Sequence, residues 1–541
     1  MNPDETQSGP LARALDLKQQ PLGRKMVRGV IFSVLRKIVG GPLFLLLIPF
    51  TLHKVGAAGY GAWAILMTVI SISGFLDWGL GESVIKHVAE YNGRKDLEQI
   101  RQLLNTILAL YFFIAALMVC LLALGSRLIV HELFRGASSQ MANHVLSMWP
   151  LLLVIVAADI LARPFTSTIY GLQRIDIANV ILFTHSLVNA VLTVALLLAG
   201  MQLGGLLVAT LLSSMFNLAA CTLITRKLLP TVLANPLRSD LVTLRRICKF
   251  SLALFSGRMM VMIQAQVEKL YLARLVGVVQ VGWYEVASEA ASKVRRLPDQ
   301  LLSPVMAAAS ELHATDDSPK MRELFFRTNK YFAVSAIPFV VFALFTAKVL
   351  LGFWLGPNLV QIAVPFAGLV IGNFFLQVGA PVSSVLTGKG ILRPGVYAAL
   401  VMCALNVVLS FLFIERWGFA GAMLGTVLSM MVGNLYFFIT AAPHLDVPFH
   451  QTLVRAYSKP LACALAAALA MWPVRNLEIP GWQRLSLSAA AFGIVYLVGL
   501  ILLRFFDSFD LTKAERYVPC FGLARRLLAT PIASTAEEAN L

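Results

Sequence analysis

Charged side chains are scarce in this chain of 541 residues: Asp, Glu, Lys and Arg together make up 13% of it, against roughly 25% in soluble domains. That scarcity argues against a soluble globular protein. Cysteine is also rare. The six residues Cys120, Cys221, Cys248, Cys403, Cys463 and Cys520 are scattered, mostly within apolar runs. They form neither a metal-binding spacing nor a disulfide framework and read as small packing residues. Walker A, GxSxG, HExxH and paired-cysteine motifs are missing, which argues against an ATP-driven pump and the common covalent and metal hydrolases. No catalytic residue and no metal ligand is expected. No nucleic-acid recognition motif appears either, so the net charge of +17 needs another explanation. Residues 1–25 are polar and lack an apolar core, so no cleavable signal peptide is expected.

What the chain does have is apolar length. Hydrophobic residues make up 58% and the mean hydropathy is +0.76. Apolar runs of about 18 to 25 residues recur along almost the whole sequence, as bilayer-spanning helices require. The runs are continuous rather than alternating, which argues against a membrane β-barrel. The expected fold is an all-α polytopic membrane protein of about 14 transmembrane helices. Its parts are a cytoplasmic N-terminal segment (1–26), an N-lobe of six spans (27–226), a basic linker (227–247), a C-lobe of six spans (248–440), two further spans (441–505) and a cytoplasmic tail (506–541).

The two lobes are copies. Val55-Gly56 through Tyr60-Gly61 lies over Val276-Gly277 through Val281-Gly282, and Glu90 lies over Glu311, all at an offset of 221 residues. Later the offset is 217: Gly171 meets Gly388, Asn189 meets Asn406, Gly204 meets Gly421, and Asn217 meets Asn434. One short deletion in a loop accounts for the change. Six is an even number of spans, so both halves enter the bilayer from the same side. The repeat is therefore parallel, with its pseudo-twofold axis along the membrane normal and a central cavity expected between the lobes.

Lys and Arg fix the orientation. Arg24, Lys25 and Arg28 precede the first span. Lys86, Arg94, Lys95 and Arg101 follow the second, and Arg226, Lys227, Arg238, Arg245 and Arg246 join the halves. This bias puts both termini in the cytoplasm and accounts for most of the positive charge.

The charges inside the spans are the functional signal, because each is costly in a bilayer unless paired or hydrated. Arg36 and Lys37 lie roughly 15 Å into the first span at 1.5 Å per residue, just before Gly40-Gly41-Pro42. Asp159 and Arg163 share a face of span four. Span seven carries Arg258 and Lys269 on one face, and span eight carries Glu285, Glu289, Lys293 and Arg296 along one stripe. The cations Arg36, Lys37, Arg163, Arg258, Lys269 and Lys293 are candidates for drawing an anionic substrate into the cavity. The acids Asp77, Asp159, Glu285 and Glu289 are candidates for carrying a coupling ion, H⁺ or Na⁺. Each has a plainer reading as a snorkelling side chain, an internal ion pair or a helix-end hydrogen bond.

At Phe75-Leu76-Asp77-Trp78-Gly79-Leu80-Gly81-Glu82-Ser83 and Val88-Ala89-Glu90-Tyr91 the chain resembles polysaccharide flippases, the Wzx-type branch of the multidrug/oligosaccharidyl-lipid/polysaccharide exporter superfamily. Tyr170-Gly171-Leu172-Gln173-Arg174 and Leu386-Thr387-Gly388-Lys389-Gly390 carry the same resemblance, which covers about residues 25–505. It implies two six-helix lobes that open alternately to either side of the cytoplasmic (inner) membrane. It implies a lipid-linked substrate, an oligosaccharide on undecaprenyl pyrophosphate, and a place beside a polysaccharide polymerase and co-polymerase. By analogy with lipid II flippases, it implies that the last two spans line a groove for the lipid tail. The alternatives are a multidrug/cation antiporter of the same superfamily and a membrane-embedded glycan polymerase or ligase. No outer segment is long enough for the catalytic loop of the latter, which leaves a non-enzymatic transporter as the expectation.

Overall fold

The computed structural model describes residues 22–74, 79–135, 137–230, 266–302, 304–315, 317–445, 449–475 and 479–507, with a few isolated residues between these stretches and Asp510. Side chains are described from about residue 43 onward. Most of the expected seventh span (248–273), the N-terminal segment, most of the linker and nearly all of the tail lie outside the described residues.

The described residues build long helices. α1 runs over Leu22–Ser73, α2 over Leu80–Gly93, α3 over Leu97–Leu124 and α4 over Ser126–Leu133. α5 covers Ser139–Gly171, α6 Ile175–Leu198 and α7 Gln202–Leu228. Residues 266–275 form α8. α9 spans Val278–Asp299, α10 Val305–Ala314, α11 Ser318–Leu355, α12 Ala363–Gly388 and α13 Arg393–Ala441. Two more close the described chain: α14 at Phe449–Ala470 and α15 at Gly481–Leu502.

Among the described residues ten helices are long and apolar enough to cross a membrane. α9 is not among them, because its acids and bases make it too polar. Two helices are double. α1 has 52 residues and α13 has 49, each longer than two bilayer cores at about 1.5 Å per residue. Each is broken at one non-helical glycine, Gly56 (φ 75°) and Gly418 (φ 54°). Positive φ is cheap only without a Cβ, so glycine is what lets the chain reverse there with almost no loop. The repeat reproduces both reversals. Gly277 (φ 134°) stands where Gly56 does, and Gly200 (φ 83°), between α6 and α7, does the job of Gly418.

α2 and α10 occupy corresponding places in the two copies. Matching glycines hold them. A Cβ on Gly171, at the end of α5, would stand 2.9 Å from the Ile85 carbonyl oxygen of α2. One on Gly388, at the end of α12, would stand 2.7 Å from the Met306 carbonyl oxygen of α10. Ser310 adds a hydrogen bond to the Gly388 carbonyl at 3.0 Å.

The chain's contacts form two compact units, one of residues 1–290 with 393–436 and the other of 291–392 with 437–541. In the first unit α1, α3, α5, α6 and α7 pack side by side. In the second, α14 and α15 lie against α11 around Ala333, Ile337, Cys463, Ala467, Phe492, Tyr496 and Leu500. The buried Cys463 is thus a packing residue, as the sequence implies.

Candidate functional site

Glu268 on α8 is buried, with 4% of its surface accessible. A buried carboxylate is costly unless its oxygens are answered by hydrogen-bond donors. Three neutral side chains answer it. The Tyr284 hydroxyl on α9 donates to one oxygen. The Asn406 amide donates to the other, and Thr426 Oγ1 lies 2.6 Å from that same oxygen. Tyr284 OH and Thr426 Oγ1 are also 3.0 Å apart. Asn406 and Thr426 come from the two arms of α13, so the hairpin at Gly418 is what brings them to one place. Ser429 Oγ extends the network, 3.4 Å from Asn406 Nδ2. Among the described residues, two buried oxygens on α13, Asn406 Oδ1 and Ser410 Oγ, have no hydrogen-bond partner. Ser410 lies one helical turn from Asn406.

A charged rung lies next to the neutral one. Lys269 Nζ is 2.6 Å from Glu285 Oε2, with the two side chains 14% and 16% exposed. The sequence had placed Lys269 with the substrate cations and Glu285 with the ion-coupling acids. The structure pairs them with each other. α1 approaches the same region: a Cβ on Gly282 of α9 would stand 2.9 Å from the Gly61 nitrogen, so the two backbones touch. Tyr60, 3% exposed, is within electrostatic reach of both Glu285 and Glu289.

The other expected residues are distributed more widely. In the first half Asp159 accepts a hydrogen bond from Ser214 and lies in the fields of His185 and Arg163. Arg163 donates to the Gly74 carbonyl at 3.3 Å. Glu289 and Lys293 are half-buried on α9. The side chains of Arg36 and Lys37, and Asp77 and Arg258 entirely, lie outside the described residues.

Sequence reasoning passed over Glu268, Tyr284, Asn406, Thr426 and His185. A signal for the first was present, since Glu268 precedes Lys269 inside an expected span. Asn406 was used only to set the register of the repeat. A second cluster was missed as well, at the exit of the last helix. Lys330 reaches Asp510 at 2.5 Å and Asp507 at 3.2 Å. Arg327 lies 3.2 Å from Asp510, and Tyr331 donates to Asp510 too. Partial burial on its own would raise the Asp507 carboxyl. The Asp510 N–H and the charges of Lys330 and Arg327 prevail and hold it below the usual carboxylate range.

A bundle of ten span-length apolar helices is the anatomy of a multi-pass membrane protein. The fold agrees with solved ones. It resembles the lipid II flippase MurJ in an inward closed conformation, with a TM-score of 0.70, 16% identity, and coverage of 88% of this chain and 99% of that one. It resembles an inward-facing MATE-family multidrug resistance transporter of the MOP superfamily, with a TM-score of 0.62, 13% identity and coverage of 77% and 98%. A MOP superfamily transporter from Pyrococcus furiosus matches at 0.50 with 15% identity, covering 79% and 94%. No curated protein matches the chain in sequence. A family model described as "Polysaccharide biosynthesis protein" matches residues 55–364. That match spans more than half of the chain, which belongs to this family.

Proposed function

We propose that this protein is a flippase that carries polyprenyl-pyrophosphate-linked oligosaccharide repeat units across the cytoplasmic (inner) membrane for polysaccharide synthesis, as exopolysaccharide, capsule or O-antigen. It works by alternating access, driven by a cation gradient, with both termini in the cytoplasm and a polymerase and co-polymerase taking the product. The observation that carries this reading is the extent of the two likenesses. The flippase likeness covers 88% of the chain and the drug-transporter likeness 77%. Across 541 residues the difference is about 60 residues, close to the length of α14 and α15 with the segment that joins them. Those two helices, laid against α11, are an apolar addition suited to a long lipid tail. The family's connection with polysaccharide biosynthesis supports the glycan headgroup.

Glu268 is the carboxylate that carries the coupling cation in this reading. A proton alone would need no further oxygens. The unpartnered Asn406 Oδ1 and Ser410 Oγ are the oxygen ligands a small hard cation takes, which favours Na⁺. The pyrophosphate would be drawn by the cations read from the sequence, and guanidinium groups such as Arg163 can fork onto phosphate oxygens.

A multidrug/cation antiporter is the second reading, favoured by the MATE likeness and by the buried acid. Proteoliposomes separate the two. With a fluorescent undecaprenyl-pyrophosphate oligosaccharide in both leaflets, an imposed Na⁺ gradient should speed its transfer well above that in empty vesicles. Ethidium uptake at the control rate is the companion result. Ethidium transport without lipid transfer would replace the flippase by the antiporter.

A further inference from the structure

The neutral and charged rungs between α8 and α9 are consecutive in both helices. Glu268 and Lys269 are adjacent in the chain, and so are their partners Tyr284 and Glu285. One cation thus stands beside two largely buried carboxylates. The structure gives the ammonium to Glu285, at 2.6 Å, and leaves Glu268 with neutral donors only. The Lys269 charge is close enough for its field to reach Glu268. Were that charge not neutralised, it would oppose any cation arriving at Glu268.

We infer that Glu285 is a specificity-determining residue for the coupling site: by holding and neutralising Lys269, it leaves Glu268 as the uncompensated carboxylate of the two rungs, matched to a monovalent cation. This rests on the coupling role of Glu268 given above. Among the described residues, the other ionisable groups around the pair are Tyr284 and Glu289 on α9 and Tyr60 on α1. Tyr60 is buried, and both tyrosines are neutral. The count of charges on the two rungs is therefore two carboxylates against one ammonium, a net charge of −1. Removal of Glu285's charge brings the net charge to zero and makes Lys269 a built-in substitute for the ion. Removal of Lys269's charge leaves −2, which suits a divalent cation better. Removal of both restores −1 with Glu268 unchanged.

The four proteins, wild type, Glu285→Gln, Lys269→Met and the double variant, are to be purified in detergent at one pH. Each is titrated with NaCl against choline chloride at constant ionic strength, and the shift in melting temperature is recorded. The half-saturating Na⁺ concentration should rise at least tenfold in Glu285→Gln and return to within about threefold of wild type in the double variant. Lys269→Met should in addition be stabilised by millimolar Ca²⁺, which wild type is not. A merely structural ion pair predicts the opposite pattern, lower melting temperatures in all three variants with unchanged half-saturation, and that result overturns the inference. So does a double variant that binds no better than Glu285→Gln. Absence of any Na⁺ response in wild type overturns both the inference and the Na⁺ role of Glu268, while lipid transfer in vesicles reports on the flippase reading separately.

Discussion

The two halves of the chain contain the same small polar device, and only one of them has been given a charge. In the first half Asn189 Nδ2 donates to Ser213 Oγ at 3.0 Å, Ser213 donates to the Thr210 carbonyl, and Thr210 donates to the Leu206 carbonyl. In the second half Asn406 reaches Ser429 at 3.4 Å, Ser429 donates to the Thr426 carbonyl, and Thr426 binds back to the Ala422 carbonyl. The spacing is nearly conserved, 24 residues between Asn and Ser in one half and 23 in the other. Such a neutral triad ties two neighbouring helices together in lipid, each hydrogen bond contributing on average about 0.6 kcal/mol. The second half adds Glu268 and Tyr284 to it. At the repeat's offset of 221 the first half has Leu47 and Trp63 there, and the Trp63 indole nitrogen is buried without a partner. The triad is thus common to the scaffold of both copies, and the acid is what distinguishes the second.

The largest effect that would test this asymmetry comes from the acid. Glu268→Gln keeps the shape and the hydrogen bonds but removes the charge, so gradient-driven lipid transfer should fall at least a hundredfold while membrane abundance stays near wild type. Transfer that survives in this variant would make the second-half cluster as structural as the first. A smaller contrast comes from the paired asparagines. Asn406→Ala should lower transfer about tenfold, because it strips a donor from Glu268, whereas Asn189→Ala should change it less than twofold. Equal losses in the two would mean that both triads serve transport. The smallest effect bears on what the halves share. Gly171→Ala and Gly388→Ala both force a Cβ into the backbone of a connector helix, and each should cost about 1–3 kcal/mol by overpacking. The drop in melting temperature should be the same for both. A loss confined to one would show that the connectors, too, have diverged.

The sequence made the scaffold legible because a bilayer leaves few choices. Apolar runs of spanning length must be helices, and the glycine pairs Gly56/Gly277 and Gly171/Gly388 recur at fixed offsets where the chain turns or touches. The boundaries blurred where a turn needs only one residue: at Gly56 and Gly418 the helical hydrogen-bonding resumes at once on the far side of the reversal, so no loop marks where one span ends and the next begins. The site was less legible. Lys269 and Glu285 stood out as charges, but they lie 16 residues apart, and no helical periodicity pairs residues on different helices. Glu268 was eclipsed by its neighbour Lys269. Asn406 and Thr426 are uncharged, and their importance comes only from what faces them 138 and 158 residues away in the chain.

Gly61 and Gly282 occupy the same place in the two copies, and in the folded chain they lie against each other. A residue that touches its own duplicate sits on the symmetry axis, where a contact is of the self-complementary kind found in twofold dimers. Had the halves begun as separate polypeptides, this would be where two identical subunits met, and a side chain added by one mutation in the ancestral gene would have appeared twice at the same spot. Fusion into a single gene lifted that restriction everywhere off the axis, which left Glu268 free to arise in one copy alone. At the axis the restriction persists, because a Cβ on Gly61 would run into the Val278 carbonyl and one on Gly282 into the Gly61 backbone.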